Sequence, residues 1–315
     1  MLGAKTPPAA VTFKYGLMIV LAVLPIIGPQ NYWVFTLGLS FSFAIIIISV
    51  SFLVRYGGEV SIGHGVFAAI GAYTVAMLEK YFSLSLFISL PLGVIAGALA
   101  ALIVAVPSRR ISGIYLTVVT MVVALSLPEL LLYFTSFTGG YEGLHTSGSA
   151  IEGMSAKNQG YYFPLVGLIF IDYILRNFRA SRQAMSLLLS RTSKLAGESF
   201  GISGSWSRIS CFTISGAIAA FGGGLLAFNA TAISPNNFTV WTSFYLLVGS
   251  VVSLYSLSFF GGLVGGLFIA FIPILLAGFG DLVLVFYGAT LLIVVVGGNV
   301  LQKYTKLFEQ KDYLK

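Results

Sequence analysis

The chain has 315 residues, of which 57% are hydrophobic and 9% charged, and its mean hydropathy is +0.97. Soluble domains carry about a quarter charged residues, so this composition excludes a soluble globular protein and indicates an integral membrane protein. The apolar residues run continuously rather than alternating, which argues against a β-barrel. The single cysteine, Cys211, excludes an internal disulfide.

Apolar stretches long enough to cross a bilayer as helices, which takes about 20 residues, recur along the whole chain. They predict an all-α membrane protein that forms one transmembrane domain over residues 1–315. The first stretch is interpreted as a retained helix, because residues 1–10 contain no small-residue cleavage site. About ten spans are predicted, at residues 13–28, 32–54, 62–79, 84–106, 113–134, 161–177, 209–229, 241–257, 260–279 and 282–301.

Positive charges lie almost entirely on one side of these spans. The loops and ends on that side hold 15 of the 17 Lys and Arg residues, and the other side holds only Lys80 and Lys157. By the positive-inside rule, the basic side is cytoplasmic and carries both termini. Residues 135–160 are then an outer loop, and the basic residues 177–207 form a cytoplasmic loop.

Residues 56–67, with the sequence YGGEVSIGHGVF, interrupt two apolar runs and predict a broken, glycine-rich helix entry at 56–65. Non-helical backbone at membrane depth is tolerated only where protein or a water-filled cavity covers it, and ionisable groups there mark transport pathways. Candidate residues of a translocation path or gate are therefore Glu59, Ser61, Gly63 and His64, with Glu59 neutral or paired with His64. The alternative is a tightly packed hinge with a hydrogen-bonded His64.

The basic inner loop contains RTSKLAGESFGI at 191–202, which predicts a short helix that a glycine can end. This helix either lies on the lipid headgroups or docks a soluble partner. The chain has no phosphate-binding loop and no His/Cys/Asp/Glu cluster with metal-ligand spacing. We therefore expect no bound cofactor or metal and no catalytic residues.

Four short blocks follow one another along the chain: GEVSIGHGVFAAIGAY at 58–73, RRISGIYLTVVT at 109–120, TGGYEGL at 138–144 and ESFGI at 198–202. In this order they resemble the signatures of the permease subunits of branched-chain amino acid ABC importers. The chain departs from the usual pattern at Glu59, where the family has Gln, and at Glu142, where it has Asn.

The resemblance implies a transport subunit of the bacterial inner membrane. Two related permease subunits would form the path for branched-chain or related amino acids, and a periplasmic or lipid-anchored binding protein would deliver the substrate. Two cytoplasmic ATPase subunits would use ATP and Mg, and no nucleic acid would be bound. The resemblance makes the coupling-loop residues Arg191, Glu198 and Gly201 contacts of the ATPase. It makes the periplasmic-loop residues Gly139, Gly140, Glu142 and Gly143 contacts of the binding protein.

Three alternatives stay open on the sequence. Importers of urea and short-chain amides have very similar permeases, so the architecture could carry one of those substrates. A stand-alone channel or secondary carrier could use the same broken helix without a docking loop. An intramembrane enzyme with Glu59 and His64 as acid and base would lack a nucleophile or metal in register.

Overall fold

The computed structural model describes residues 16, 18–25, 31–107, 111, 113–148, 150–276, 278 and 285–294. Both termini, and with them the prediction that they are cytoplasmic, lie outside the described residues, as do parts of the first and last predicted spans. The helices are α1 (residues 18–25), α2 (Asn31–Phe52), α3 (His64–Phe82), α4 (Leu86–Ala105), α5 (Ile114–Tyr133), α6 (Thr135–Thr138), α7 (Ala156–Arg179), α8 (Arg182–Thr192), α9 (Lys194–Ser199), α10 (Gly204–Ala230), α11 (Val240–Val252), α12 (Phe259–Leu275) and α13 (Val285–Val294).

Helices dominate the described residues, as predicted, and each predicted span from 32–54 to 260–279 coincides with one of them. Four helical segments are long and apolar enough to cross a membrane: Tyr32–Gly57, Leu86–Ala105, Ile114–Tyr133 and Gly204–Ala230. The apolar helices α11, α12 and α13 are shorter. The total of about ten spans therefore stays a prediction.

Several predicted boundaries are wrong, among them the start of α10, which is at Gly204 instead of 209. Helix α7 begins at Ala156, inside the predicted 135–160 loop, because the hydroxyl of Ser155 caps its first turn. Helix α11 ends at Val252 instead of 257, where a turn gives Leu254 and Tyr255 positive φ angles of 54° and 50°. The single helix expected within 191–202 is two helices, because Ser193 is extended and its hydroxyl caps the start of α9.

The core of the bundle forms where α10 crosses α2, α3, α4 and α7. Small residues let these backbones approach closely: a Cβ atom on Gly223 would overlap the carbonyl of Ala68, and one on Gly71 would overlap the carbonyl of Ala220. Such contacts stabilise helix pairs in membranes, where burial from water contributes little. The high glycine content thus predicts the packing correctly.

A buried carboxylate that sequence reasoning missed fixes one further helix. Asp172 of α7 accepts a hydrogen bond of 2.8 Å from the backbone N–H of Phe259, the first residue of α12. The first N–H groups of a helix have no partner within it, and an acceptor side chain supplies one. Asp172 therefore positions α12 against α7.

The bundle has two ends that carry the candidate sites. The Gly58 end, as we name it, comprises residues 53–63, α8, α9 and the starts of α5 and α10. The Gly139 end comprises α6 and two short strands, β1 (Leu144–His145) and β2 (Ala232–Ile233), which pair antiparallel. Helix α5 runs from the first end to the second.

Candidate functional site

The predicted break in the chain is present. Helix α2 continues as one π-helical turn, Leu53–Gly57, and stops at Gly58, whose φ of +69° lies in the left-handed region. Glycine adopts this conformation without the steric cost that other residues meet. Residues 58–63 are then non-helical until α3 begins at His64.

The non-helical segment is attached to one face of α5 by three hydrogen bonds. The partner residues are Gly113, which caps α5, and Thr117 and Thr120 of α5. They are spaced four and three residues apart and so share a face of the helix. Oε2 of Glu59 accepts from the N–H of Gly113 (2.9 Å), the hydroxyl of Thr117 donates to the carbonyl of Val60 (2.9 Å), and the N–H of Ile62 donates to the hydroxyl of Thr120 (3.1 Å). Side chains of α5 thus satisfy polar backbone groups of the non-helical segment, as such a segment within a membrane would require.

Glu59 is buried, and its bond to Gly113 shows why Glu is compatible with a position at which the family pattern has Gln. The position requires a side-chain oxygen that accepts a backbone N–H, and Gln carries the same acceptor as Glu. The expected pairing of Glu59 with His64 is not formed, because the two side chains bind different partners.

Ser61 and Gly63 shape the turn that precedes α3. The hydroxyl of Ser61 accepts from the N–H of Gly63 at 3.1 Å. A Cβ atom on Gly63 would lie 3.2 Å from Cβ of Thr120, so glycine permits the close approach of α5. Ser61 thus stabilises the turn, and Gly63 lets it pack against α5.

His64 links three helices. Its Nε2 atom lies 2.6 Å from the hydroxyl of Ser215 on α10, and that hydroxyl donates to the carbonyl of Ser49 on α2 at 2.8 Å. Because the one hydroxyl proton goes to Ser49, Nε2 must carry the proton that it shares with Ser215. His64 is 1% exposed, and its Nδ1 has no hydrogen-bond partner among the described residues. This geometry agrees with the alternative interpretation of residues 56–65, a tightly packed hinge with a hydrogen-bonded His64. In this tautomer, Nδ1 is a buried hydrogen-bond acceptor.

The Gly58 end contains a cavity of about 720 Å³. It brings together candidate residues that the sequence assigned to separate sites: Glu59 lines it with Arg191, Glu198 and Gly201. Ser61, Gly63 and His64 do not line it. The full lining consists of residues 56–59, Leu187, Ser190, Arg191, Glu198, residues 201–205, Ser207 and Arg208. Within the described parts of the chain, no group of three or more His, Cys, Asp or Glu residues is placed to hold a metal ion.

Arg191, at the end of α8, contacts the break directly. Its guanidinium donates a hydrogen bond to the carbonyl of Arg55 in the π-helical turn. Its side chain also covers Gly58, where a Cβ atom would lie 3.0 Å from Nε and 3.2 Å from Cγ of Arg191. The loop of α8 and α9 is therefore bonded to the point at which α2 stops.

Helices α8 and α9 leave large apolar side chains uncovered. Ala184 and Leu187 are the buried residues of α8, whereas Leu195 and Phe200 are 79% and 76% exposed, and Met185 and Trp206 are also exposed. Helix α9 ends at Ser199 with Phe200 as its cap, and Gly201, whose φ is +74°, comes next, so a glycine closes this short helix as predicted. Uncovered apolar side chains of this size make the segment a candidate interaction surface.

The glycine block at the Gly139 end is a compact turn. Gly139, Gly140 and Gly143 have φ angles of +77°, +60° and +75°. Cβ atoms on Gly139 and Gly143 would overlap the carbonyls of Gly143 and Ile233. These glycines thus serve the turn, and Glu142 is the exposed candidate of the block whose side chain is accessible to a partner.

Comparisons with known proteins agree on one family. A family model described as the permease component of branched-chain amino acid transport systems matches residues 32–295. The high-affinity branched-chain amino acid transport system permease protein LivM of Salmonella typhimurium is 28% identical over 226 residues, and LivM of Escherichia coli is 28% identical over 235 residues. These alignments cover 64% and 66% of the chain but 53% and 55% of the relatives, so the chain spans about half the length of the curated relatives it matches. No solved structure matches the chain.

Proposed function

Because the chain belongs to the family of branched-chain amino acid transport permease components, we propose that it is the membrane-spanning subunit of an ATP-driven importer. A second, related permease subunit completes the translocation path. Two cytoplasmic ATPase subunits bind ATP and Mg, and a periplasmic or lipid-anchored binding protein delivers the substrate. The assembly lies in a bacterial inner membrane, with residues 177–207 on the cytoplasmic side and residues 135–160 on the periplasmic side.

The observation that carries this proposal is the contact of Arg191 with Arg55 and Gly58. An importer driven by a separate ATPase needs a loop that the ATPase moves and a helix break that responds. Here Arg191 of the loop is hydrogen-bonded to Arg55 at the helix break, and the loop and the break line one cavity. A stand-alone channel or carrier does not require this connection.

The contacts suggest how movement is transmitted. When the ATPase subunits close, they displace α8 and α9 as one body, and Arg191 pulls the π-helical turn with it. The shift continues through Glu59 to Gly113 and so tilts α5. Rigid displacement of packed helices is a common route by which a local event changes a distant site. Glu198 and Gly201 line the cavity at the moving side.

The proposed substrate is a branched-chain amino acid. The description of the family and the names of both relatives support this class. Urea or a short-chain amide is the alternative outcome of a transport assay on the same architecture.

Arg191→Ala tests the coupling role. We expect substrate-stimulated ATP hydrolysis by the assembled importer in liposomes to fall about tenfold, the factor that matches the loss of one hydrogen bond from a charged donor. Arg191→Lys should retain part of the activity, because an ammonium group keeps the positive charge and N–H donors but loses the planar guanidinium fork.

Arg182→Ala is the matched control, since Arg182 is an exposed arginine at the other end of α8 that does not line the cavity. Its assembly should hydrolyse ATP at the parent rate. Full stimulation in the Arg191→Ala assembly, with the ATPase subunits still bound, would remove Arg191 from the coupling route.

A further inference from the structure

Helix α5 exposes most of its surface although it is one of the four candidate spans. Only 22% of its most apolar window is buried, compared with 78% for the windows of α2 and α10. Its buried residues, Leu116, Thr120, Ala124 and Leu127, form a single stripe. The opposite side of α5 therefore faces something outside this subunit.

That exposed side of α5 carries an ionisable group. Glu129 is exposed and is the only acidic residue in the four candidate spans. It lies four residues before Tyr133, about 6 Å inside the end of the helix at a rise of 1.5 Å per residue. Among the described residues, none forms a hydrogen bond or ion pair with its carboxylate. A free carboxylate is costly against lipid, and such residues face bundle interiors or water-filled cavities.

Helix α4 provides the contrast. It is equally uncovered, with 22% of its window buried, and its sequence LFISLPLGVIAGALAALIVA contains no ionisable residue. Its exposed side chains, among them Leu92 and Ile95, are those expected of a lipid-facing helix. The exposed side of α5 is also largely apolar, and it differs from that of α4 by the carboxylate of Glu129.

We propose that the exposed side of α5 lines the substrate path near the Gly139 end, and that Glu129 binds the ammonium group of a zwitterionic substrate there. Ser126 and Tyr133, three residues before and four residues after Glu129, lie on the same side and are exposed. Val122 and Leu130 are exposed beside them and offer contacts to an apolar side chain. The carboxylate and these apolar neighbours match an amino acid with a hydrocarbon side chain. This inference rests on the proposed importer function.

The first test is transport by the complete importer in liposomes. Glu129→Gln should reduce leucine uptake by about tenfold or more, since a charge-assisted hydrogen bond to the ammonium is lost. Glu129→Asp should recover part of it. Because Glu129 is exposed and unpaired in the described structure, both variants should unfold at the parent temperature. Parent-level leucine uptake by Glu129→Gln would overturn the inference, whereas failure of the parent importer to move any amino acid would overturn the proposed function instead.

The second test measures water access with single cysteines in a Cys211→Ala background. Ser126 lies seven residues from the Gly139 end of α5, and Leu92 lies six residues from the corresponding end of α4. A membrane-impermeant, positively charged thiol reagent should modify Ser126→Cys at least about tenfold faster than Leu92→Cys, because thiolates form in water and not in hydrocarbon. Equal rates would show that α5 has no greater access to water than α4 and would refute the path.

Discussion

Replacing Leu195 and Phe200 together by aspartate is expected to separate the ATPase subunits from the permease and to abolish ATP-driven uptake. Both side chains are more than three-quarters exposed, and they lie at the start of α9 and directly after its end. Truncation of a central apolar interface residue costs about 2 kcal/mol or more. Two such losses, about 4 kcal/mol, weaken the affinity by roughly a thousandfold.

The measurement is co-purification of the ATPase subunits with the tagged permease in detergent. Tyr141→Asp is the control, because Tyr141 is 75% exposed at the Gly139 end and should not influence ATPase binding. If the Leu195→Asp, Phe200→Asp double variant binds the ATPase as tightly as the parent does, the apolar surface of α9 covers lipid headgroups instead of a protein.

The largest effect on folding is expected from Gly223→Ala. In most helices this substitution stabilises by about 1 kcal/mol, but here the added methyl group would overlap the carbonyl of Ala68. The backbone of Ala68 cannot move aside as a flexible side chain can. We therefore expect the free energy of unfolding to fall by about 3 kcal/mol, at the upper end of the cost of overpacking. Thermal unfolding in detergent and the yield of monodisperse protein measure this loss.

Gly288→Ala is the matched control for that substitution. Gly288 lies in α13, is exposed, and has no atom within 4 Å of the added Cβ position. This variant should unfold at or slightly above the parent temperature. Equal unfolding temperatures for Gly223→Ala and Gly288→Ala would contradict the close crossing of α3 and α10.

The sequence predicts the helices and the break well because both depend on local chemistry. Long apolar runs specify helices in a bilayer, and clustered glycines with polar residues specify where one stops. The split at Ser193 was missed because a small polar residue within a short helical pattern is compatible with both a continuous helix and a cap.

The candidate site could be predicted only in part, because its central contacts join distant segments. Nothing in the local pattern indicates that Arg191 covers Gly58 or that Glu59 reaches Gly113. Glu59 and His64 are close in sequence, which suggested that they pair, but His64 begins a helix whose direction carries its ring to Ser215. Glu129 was overlooked because a single carboxylate near a helix end has no motif around it.

The central claim is that this chain conducts substrate only as part of an ATP-driven importer. Its most direct test is ATP hydrolysis in liposomes by the chain assembled with the permease, ATPase and binding-protein chains encoded beside it. Leucine, isoleucine or valine should stimulate hydrolysis only when the binding protein is present. Stimulation by urea or an amide instead would refute the substrate and keep the architecture. A chain that remains alone and conducts leucine without ATP would contradict the account.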